Sequence, residues 1–391
     1  MVATPAAVSR LPDGGRFVAL DSLRGICALG VAAFHVEGGG PLFESAVVRN
    51  AWLLVDFFFV LSGFVIAASY GDRLASGFPI RRYMLLRLGR IYPLHLAVLA
   101  AYVALELALW AFAPGGWSLR EPFSPPRSWQ QLLLALSLLQ GFVPDASRIW
   151  NGQSWSIAIE VWLYLAMALA WAALGKGAWR AALAAAALAG FALVVEWDGV
   201  VPMTGYLLRG VLGFGVGVAC WQIWRRREAW LGARVATAIE VAICLSCVAA
   251  LAWLPPASWR VIAADVIFAL AILIFAGERG RVSRWLCAGP WVLLGTLSYS
   301  IYMVHPLVLG RATDLLRFAG LGELVMADGI PLRRIAAPPL VADLIGLAML
   351  AAAVAAAWLS WRWLEYPARQ WSRIRAARFG AAREESAAPT I

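Results

Sequence analysis

The sequence predicts an all-α membrane protein: a polytopic bundle of ten transmembrane helices plus one short re-entrant or interfacial segment at 129–142. Three observations predict it. The 391 residues are 62% hydrophobic and only 14% charged, and the mean hydropathy is +0.74. Soluble domains run at about 45–50% apolar and about 25% charged. Apolar runs long enough to cross a bilayer core of about 30 Å recur along the chain. The arginines also sort into alternate loops in a way that fixes an orientation.

The runs lie at 18–36, 52–70, 91–113, 155–174, 180–197, 205–224, 235–254, 260–277, 291–310 and 338–361. The first carries Arg24 and reaches His35, which marks it as a retained span rather than a cleaved leader. The third opens Arg90-Ile-Tyr-Pro93, with Pro93 fitting a first-turn position. Residues 129–142 hold Gln130, Gln131 and Gln140 and are too short to span. The sixth contains Gly213, Gly215 and Gly217, which follow no strand and read as close helix packing rather than a phosphate loop. Trp52, Trp179, Trp224, Trp259, Trp291 and Trp361 sit at run ends, as interfacial belts require. The loop at 114–153 is expected to return as a lid over the outer face.

With ten spans and both termini on one side, the terminal-side segments hold 22 of the 33 Lys and Arg. The opposite side holds ten, and Arg24 is inside a span. Making 129–142 an eleventh span would put Arg225, Arg226 and Arg227 outside. The positive-inside rule therefore places both termini in the cytoplasm. The expected organisation is a cytoplasmic segment 1–17, a ten-span domain 18–369 and a basic, disordered tail 370–391. A net charge of +10 sits in short loops, which excludes a nucleic-acid reading and fits anionic lipid. The five cysteines fall in or beside apolar runs, with no disulfide framework and no metal site expected.

Ionisable groups inside spans are costly and mark function. Arg24 and His35 are eleven positions apart. Eleven steps of ~100° come to ~1,100°, so both project from one helix face, ~16 Å apart along the axis. Topology puts His35, Asp56, Glu160 and His305 at a similar depth in the outer half, on four different spans. They are expected to share one partly hydrated site, with a carboxylate orienting His35 as general base. At the inner face Arg87 and Arg90 stand i, i+3, a fork suited to phosphate oxygens. Arg24 lines the path between the two clusters. A donor with inner phosphates and a long thin arm fits this layout, and acyl-CoA has that shape. The alternative reading is a multi-span transporter of an anionic or sugar-like solute, which the absence of an internal repeat opposes.

These residues resemble a known family, the membrane-bound acyltransferase family 3 of bacterial integral-membrane O-acyltransferases. The matching motifs are Arg24 through His35, Asp56-Phe-Phe-Phe-Val-Leu-Ser62-Gly63-Phe64, and Arg87-Leu-Gly-Arg90-Ile-Tyr-Pro93. Ser154-Trp155-Ser156 through Glu160, Ser298-Tyr299 through Tyr302 and His305, and Trp363-Leu-Glu365-Tyr-Pro367 follow in order. The run Glu37-Gly-Gly-Gly40 departs from the family pattern. The resemblance implies transfer of an acyl group, by default acetyl, from cytoplasmic acyl-CoA. The acceptor it implies is a hydroxyl of an extracytoplasmic glycan or lipid-linked saccharide, a polysaccharide O-acetylation at the bacterial plasma (inner) membrane. His35, Glu160 and Asp56 are the expected catalytic residues. Arg24, Arg87 and Arg90 are expected to bind the donor, and Ser154, Ser156, Tyr302 and His305 the acceptor or the oxyanion.

Overall fold

The computed structural model describes residues 16–112, 121–143, 146–196, 202–226, 232–255, 259–327 and 330–386. Residues 1–15 of the expected N-terminal segment, 114–120 and 144–145 of the expected lid and the last five residues therefore lie outside the described residues. Every one of the ten apolar runs coincides with helix. In chain order the helices are α1 (Val18–Phe34), α2 (Ala46–Arg49), α3 (Leu54–Ile66), α4 (Asp72–Ala75), α5 (Ile80–Phe112) and α6 (Trp129–Leu136). Then come α7 (Trp155–Leu174), α8 (Ala178–Glu196), α9 (Pro202–Arg225), α10 (Ala233–Trp253), α11 (Arg260–Phe275) and α12 (Arg281–Leu286). Last are α13 (Gly289–Phe318), α14 (Pro339–Ser360) and α15 (Tyr366–Ser386).

Among the described residues, seven stretches are long and apolar enough to cross a bilayer. One of them, Gly152–Val195, contains both α7 and α8, separated by a turn at Gly175. Helices α1 and α11 are a little shorter, at 17 and 16 residues. The outer surface is apolar where a bilayer would touch it: Trp110, Leu188, Phe191, Leu245, Leu340 and Leu344 are all exposed. Such a belt is stable only against hydrocarbon.

Small residues let the helices close in. Helix α1 packs most extensively on α13. A methyl on Gly25 would lie 2.5 Å from Gly295 N, and one on Gly295 would overlap Asp21 O. Gly213 and Gly217 meet Phe59 and Val60 of α3 in the same way, and Gly215 meets Ala182 and Ala186 of α8. Those glycines are packing residues, as their setting predicts.

Three elements differ from expectation, the start of α5, a hairpin before α14 and the C-terminal tail, whereas 129–142 stays a short non-spanning segment. Helix α5 begins at Ile80, so Pro93 lies inside it rather than in its first turn. The arginines before Ile91 are helical, their long stems covering apolar surface. Segment 129–142 is an eight-residue helix, closed by a Ser128–Gln131 capping box, then a short 3-10 turn. Between α13 and α14 runs an antiparallel hairpin of β1 (Gly322–Ala327) and β2 (Ile330–Ile335), an exception to an all-α reading. The tail expected as disordered from 370 is instead helical to Ser386, with Ser372 and Ala376 buried.

Candidate active site

His35 follows the last turn of α1. Its Nδ1 lies 2.8 Å from Val31 O. A carbonyl only accepts, so Nδ1 carries the proton and Nε2 of the neutral ring is basic. His305, fully buried on α13, repeats the arrangement, with Nδ1 3.0 Å from Ile301 O. Its basic Nε2 faces His35 Nδ1 at 3.3 Å, and the ring centres are 5.0 Å apart. The His35 proton is thus shared between Val31 O and His305. His35 Nε2 receives the amide of Gln153 at 2.7 Å. Sequence reading missed Gln153, although it stands beside the Ser154 already singled out.

The two carboxylates do not join the histidines. Asp56 is fully buried and takes both arms of Arg209, Nε to Oδ1 at 3.0 Å and Nη2 to Oδ2 at 2.8 Å. That guanidinium lies over Trp52 and Trp155. Glu160 accepts from the hydroxyls of Ser62 and Tyr164, the latter at 2.5 Å. The expected cluster of four therefore resolves into three separate pairings, and no carboxylate orients His35. Similar depth does not imply the same side of a bundle. Arg209 lies within the 205–224 run, and an arginine inside a span needs a counter-ion.

A cleft opens between α1, α3, α5, α7 and α13, with about 780 Å³ of open space, mouth included. Arg24, Arg87, Arg90, Ser156, Glu160 and Tyr302 line it, so it gathers six of the expected site residues. Arg24 reaches α13, donating to Ser298 Oγ at 2.9 Å and to Gly295 O at 3.3 Å. It also pairs with Asp21 at 3.3 Å. Arg24 and His35 both face α13, as their shared stripe predicts. Arg87 lies over the Tyr70 ring at 4.6 Å, with Tyr83 and Tyr164 beyond. Tyr302 closes the far end: its hydroxyl is 2.7 Å from Ser156 Oγ and donates to Gln153 O at 3.0 Å. Through Gln153 the cleft wall meets the histidine pair.

A family model described as an acyltransferase domain matches residues 17–362. The chain belongs to acyltransferase family 3. It is 34% identical over 177 residues to acyltransferase MdmB of Streptomyces mycarofaciens, 42% of this chain and 40% of that protein. It is 38% identical over 96 residues to "Protein 2 in picA locus" of Rhizobium radiobacter, 24% of this chain and 48% of that protein. The chain thus spans less than half the length of these curated relatives. No solved structure matches it.

Within this family member the motifs have distinct physical settings. Ser154 is buried outside the cleft lining; it donates to Asn151 O at 2.7 Å and accepts from Gln140 at 3.0 Å, so it shapes the turn before α7 rather than reaching a substrate. His305 also stands behind His35, and its basic Nε2 has no proton to give an oxyanion. The Glu37–Gly40 departure has a packing reason. A side chain on Gly40 would overlap the Asp343 carboxylate of α14, which accepts from Leu42 N at 3.0 Å.

Proposed function

We propose that this protein is an integral-membrane O-acyltransferase of the bacterial plasma membrane, with ten spans and both termini in the cytoplasm. It takes an acyl group, acetyl by default, from cytoplasmic acyl-CoA and transfers it to a hydroxyl of an extracytoplasmic glycan or lipid-linked saccharide. Its partners are that donor, that acceptor and membrane lipid. One observation carries the reading: a single cleft joins three arginines to Tyr302 and Ser156, and Gln153, held by Tyr302, links that wall to the basic nitrogen of His35 outside the lining.

The donor's phosphates rest on Arg87 and Arg90, and its arm runs beside Arg24. The acceptor hydroxyl displaces the Gln153 amide from His35 Nε2. His35 removes its proton as the oxygen attacks the thioester carbonyl. The positive charge on His35 is stabilised by His305 Nε2, which accepts the Nδ1 proton more strongly as the ring becomes cationic. The tetrahedral adduct collapses to the ester, and the departing thiolate takes the proton from His35. Tyr302 and Ser156, whose hydroxyls meet each other and Gln153 O in the resting site, turn a hydroxyl from Gln153 O toward the developing oxyanion. The ester oxygen, the thiol and the proton balance with no added reagent. His35→Ala is expected to lower acyl-CoA-dependent ester formation at least about a hundredfold, the scale of general-base catalysis. The check is radiolabelled acetyl transfer to surface glycan in membranes holding equal amounts of each protein. Wild-type rates from His35→Ala refute the assignment.

A further inference from the structure

The last family-like motif has no role in the reaction above. It sits on a turn of π-helix, Trp361–Glu365, that links α14 to α15. Glu365 is buried and accepts from Ser300 Oγ of α13 at 2.7 Å. One turn later, Arg369 Nη1 reaches Glu365 Oε1 at 3.2 Å. Both residues lie beyond the stretch matched by the family model, which stops at 362.

Helix α15 crosses α5 at Gly89, where any side chain would overlap that of Ser372. Arg90 follows Gly89, and Arg369 is one turn before Ser372. The crossing therefore brings these two arginines together, and Arg369 repels Arg90 more strongly than Arg24 or Arg87 does. Arg90 makes no ion pair among the described residues. Three guanidinium groups of the cleft wall, Arg24, Arg87 and Arg90, with Arg369 outside that lining, thus stand against three carboxylates: Glu160 in the same wall, Asp21 on Arg24 and Glu365 on Arg369. An excess of like charge in a low-dielectric setting is costly without an anion. Arg87 is already stacked among tyrosines, whereas Arg24, Arg90 and Arg369 approach from three different helices.

We propose that Arg369 is a donor-binding residue: together with Arg90, and next to Arg87, it grips phosphate oxygens at the nucleotide end of the acyl donor, and Glu365 holds its guanidinium in place. The π-turn at the end of α14 supplies the rotation that aims it. This rests on the acyl-CoA reading above.

The test uses the purified full chain, with adenosine bisphosphate (the phosphate-bearing end of CoA) as the binding probe. Acetyl-CoA and acetyl-pantetheine serve as donors. Arg369→Gln and Arg369→Met both keep much of the stem's packing. Each is expected to weaken bisphosphate binding and raise the acetyl-CoA KM at least about tenfold, the scale of charged hydrogen bonds. The kcat and the acetyl-pantetheine KM stay at wild-type values. Unchanged bisphosphate affinity overturns the role of Arg369. Equal loss with acetyl-pantetheine also overturns it, since that donor has no nucleotide to grip. A wild-type chain that transfers acyl groups but binds no bisphosphate sinks the acyl-CoA reading itself.

Discussion

His35 is legible in the sequence because an imidazole at the end of an apolar run needs a reason. Its partners are not. Gln153 and His305 reach it from a turn before α7 and from α13. Asp56, which the sequence offered as its partner, is held by Arg209. This difference makes a test at the level of one side chain. Asp56→Asn leaves Arg209 buried with an uncompensated charge and is expected to cost about 3–5 kcal/mol. Thermal unfolding in detergent should fall accordingly. A variant that keeps wild-type stability yet loses all activity would restore Asp56 to the chemistry. Glu160 differs again: Ser62 and Tyr164 satisfy it within the cleft wall, so it shapes the cleft without touching His35.

Among the helices, the α1–α13 contact decides the site. Reciprocal glycines at 25 and 295 let the backbones touch. The same contact sets His305 3.3 Å from His35 and Ser298 2.9 Å from Arg24. Gly25→Val must push the helices apart and is expected to cost about 1–3 kcal/mol, the usual penalty for overpacking. Acyl transfer should fall with it, since the histidine contact widens. Unfolding temperature and transfer rate measured together check this; full activity in a folded Gly25→Val chain would show that the contact is dispensable. Helix existence was readable throughout from hydropathy. Helix ends were not: α5 runs back to Ile80 and α15 on to Ser386, because tertiary packing extends helices past the apolar run.

For the molecule as a whole, arginine placement predicts both termini in the cytoplasm. Single-cysteine labelling in intact cells tests it, in a background in which all five native cysteines are replaced. Arg317→Cys should react with a membrane-impermeant maleimide and Lys176→Cys should not. The reverse pattern inverts the topology. What the sequence determined alone was one-dimensional: which stretches are apolar enough to be helices, at what depth an ionisable group sits, and which residues share a helix face. Periodicity and hydropathy carry that much, and the Arg24–His35 stripe on α1 follows from it. Only tertiary structure decided which helices are neighbours, because rotation of each helix about the bundle is set by side-chain packing across long sequence separations. That is why the pairing of Asp56 with Arg209, the amide of Gln153 on His35 and the meeting of Arg369 with Arg90 emerged only in three dimensions.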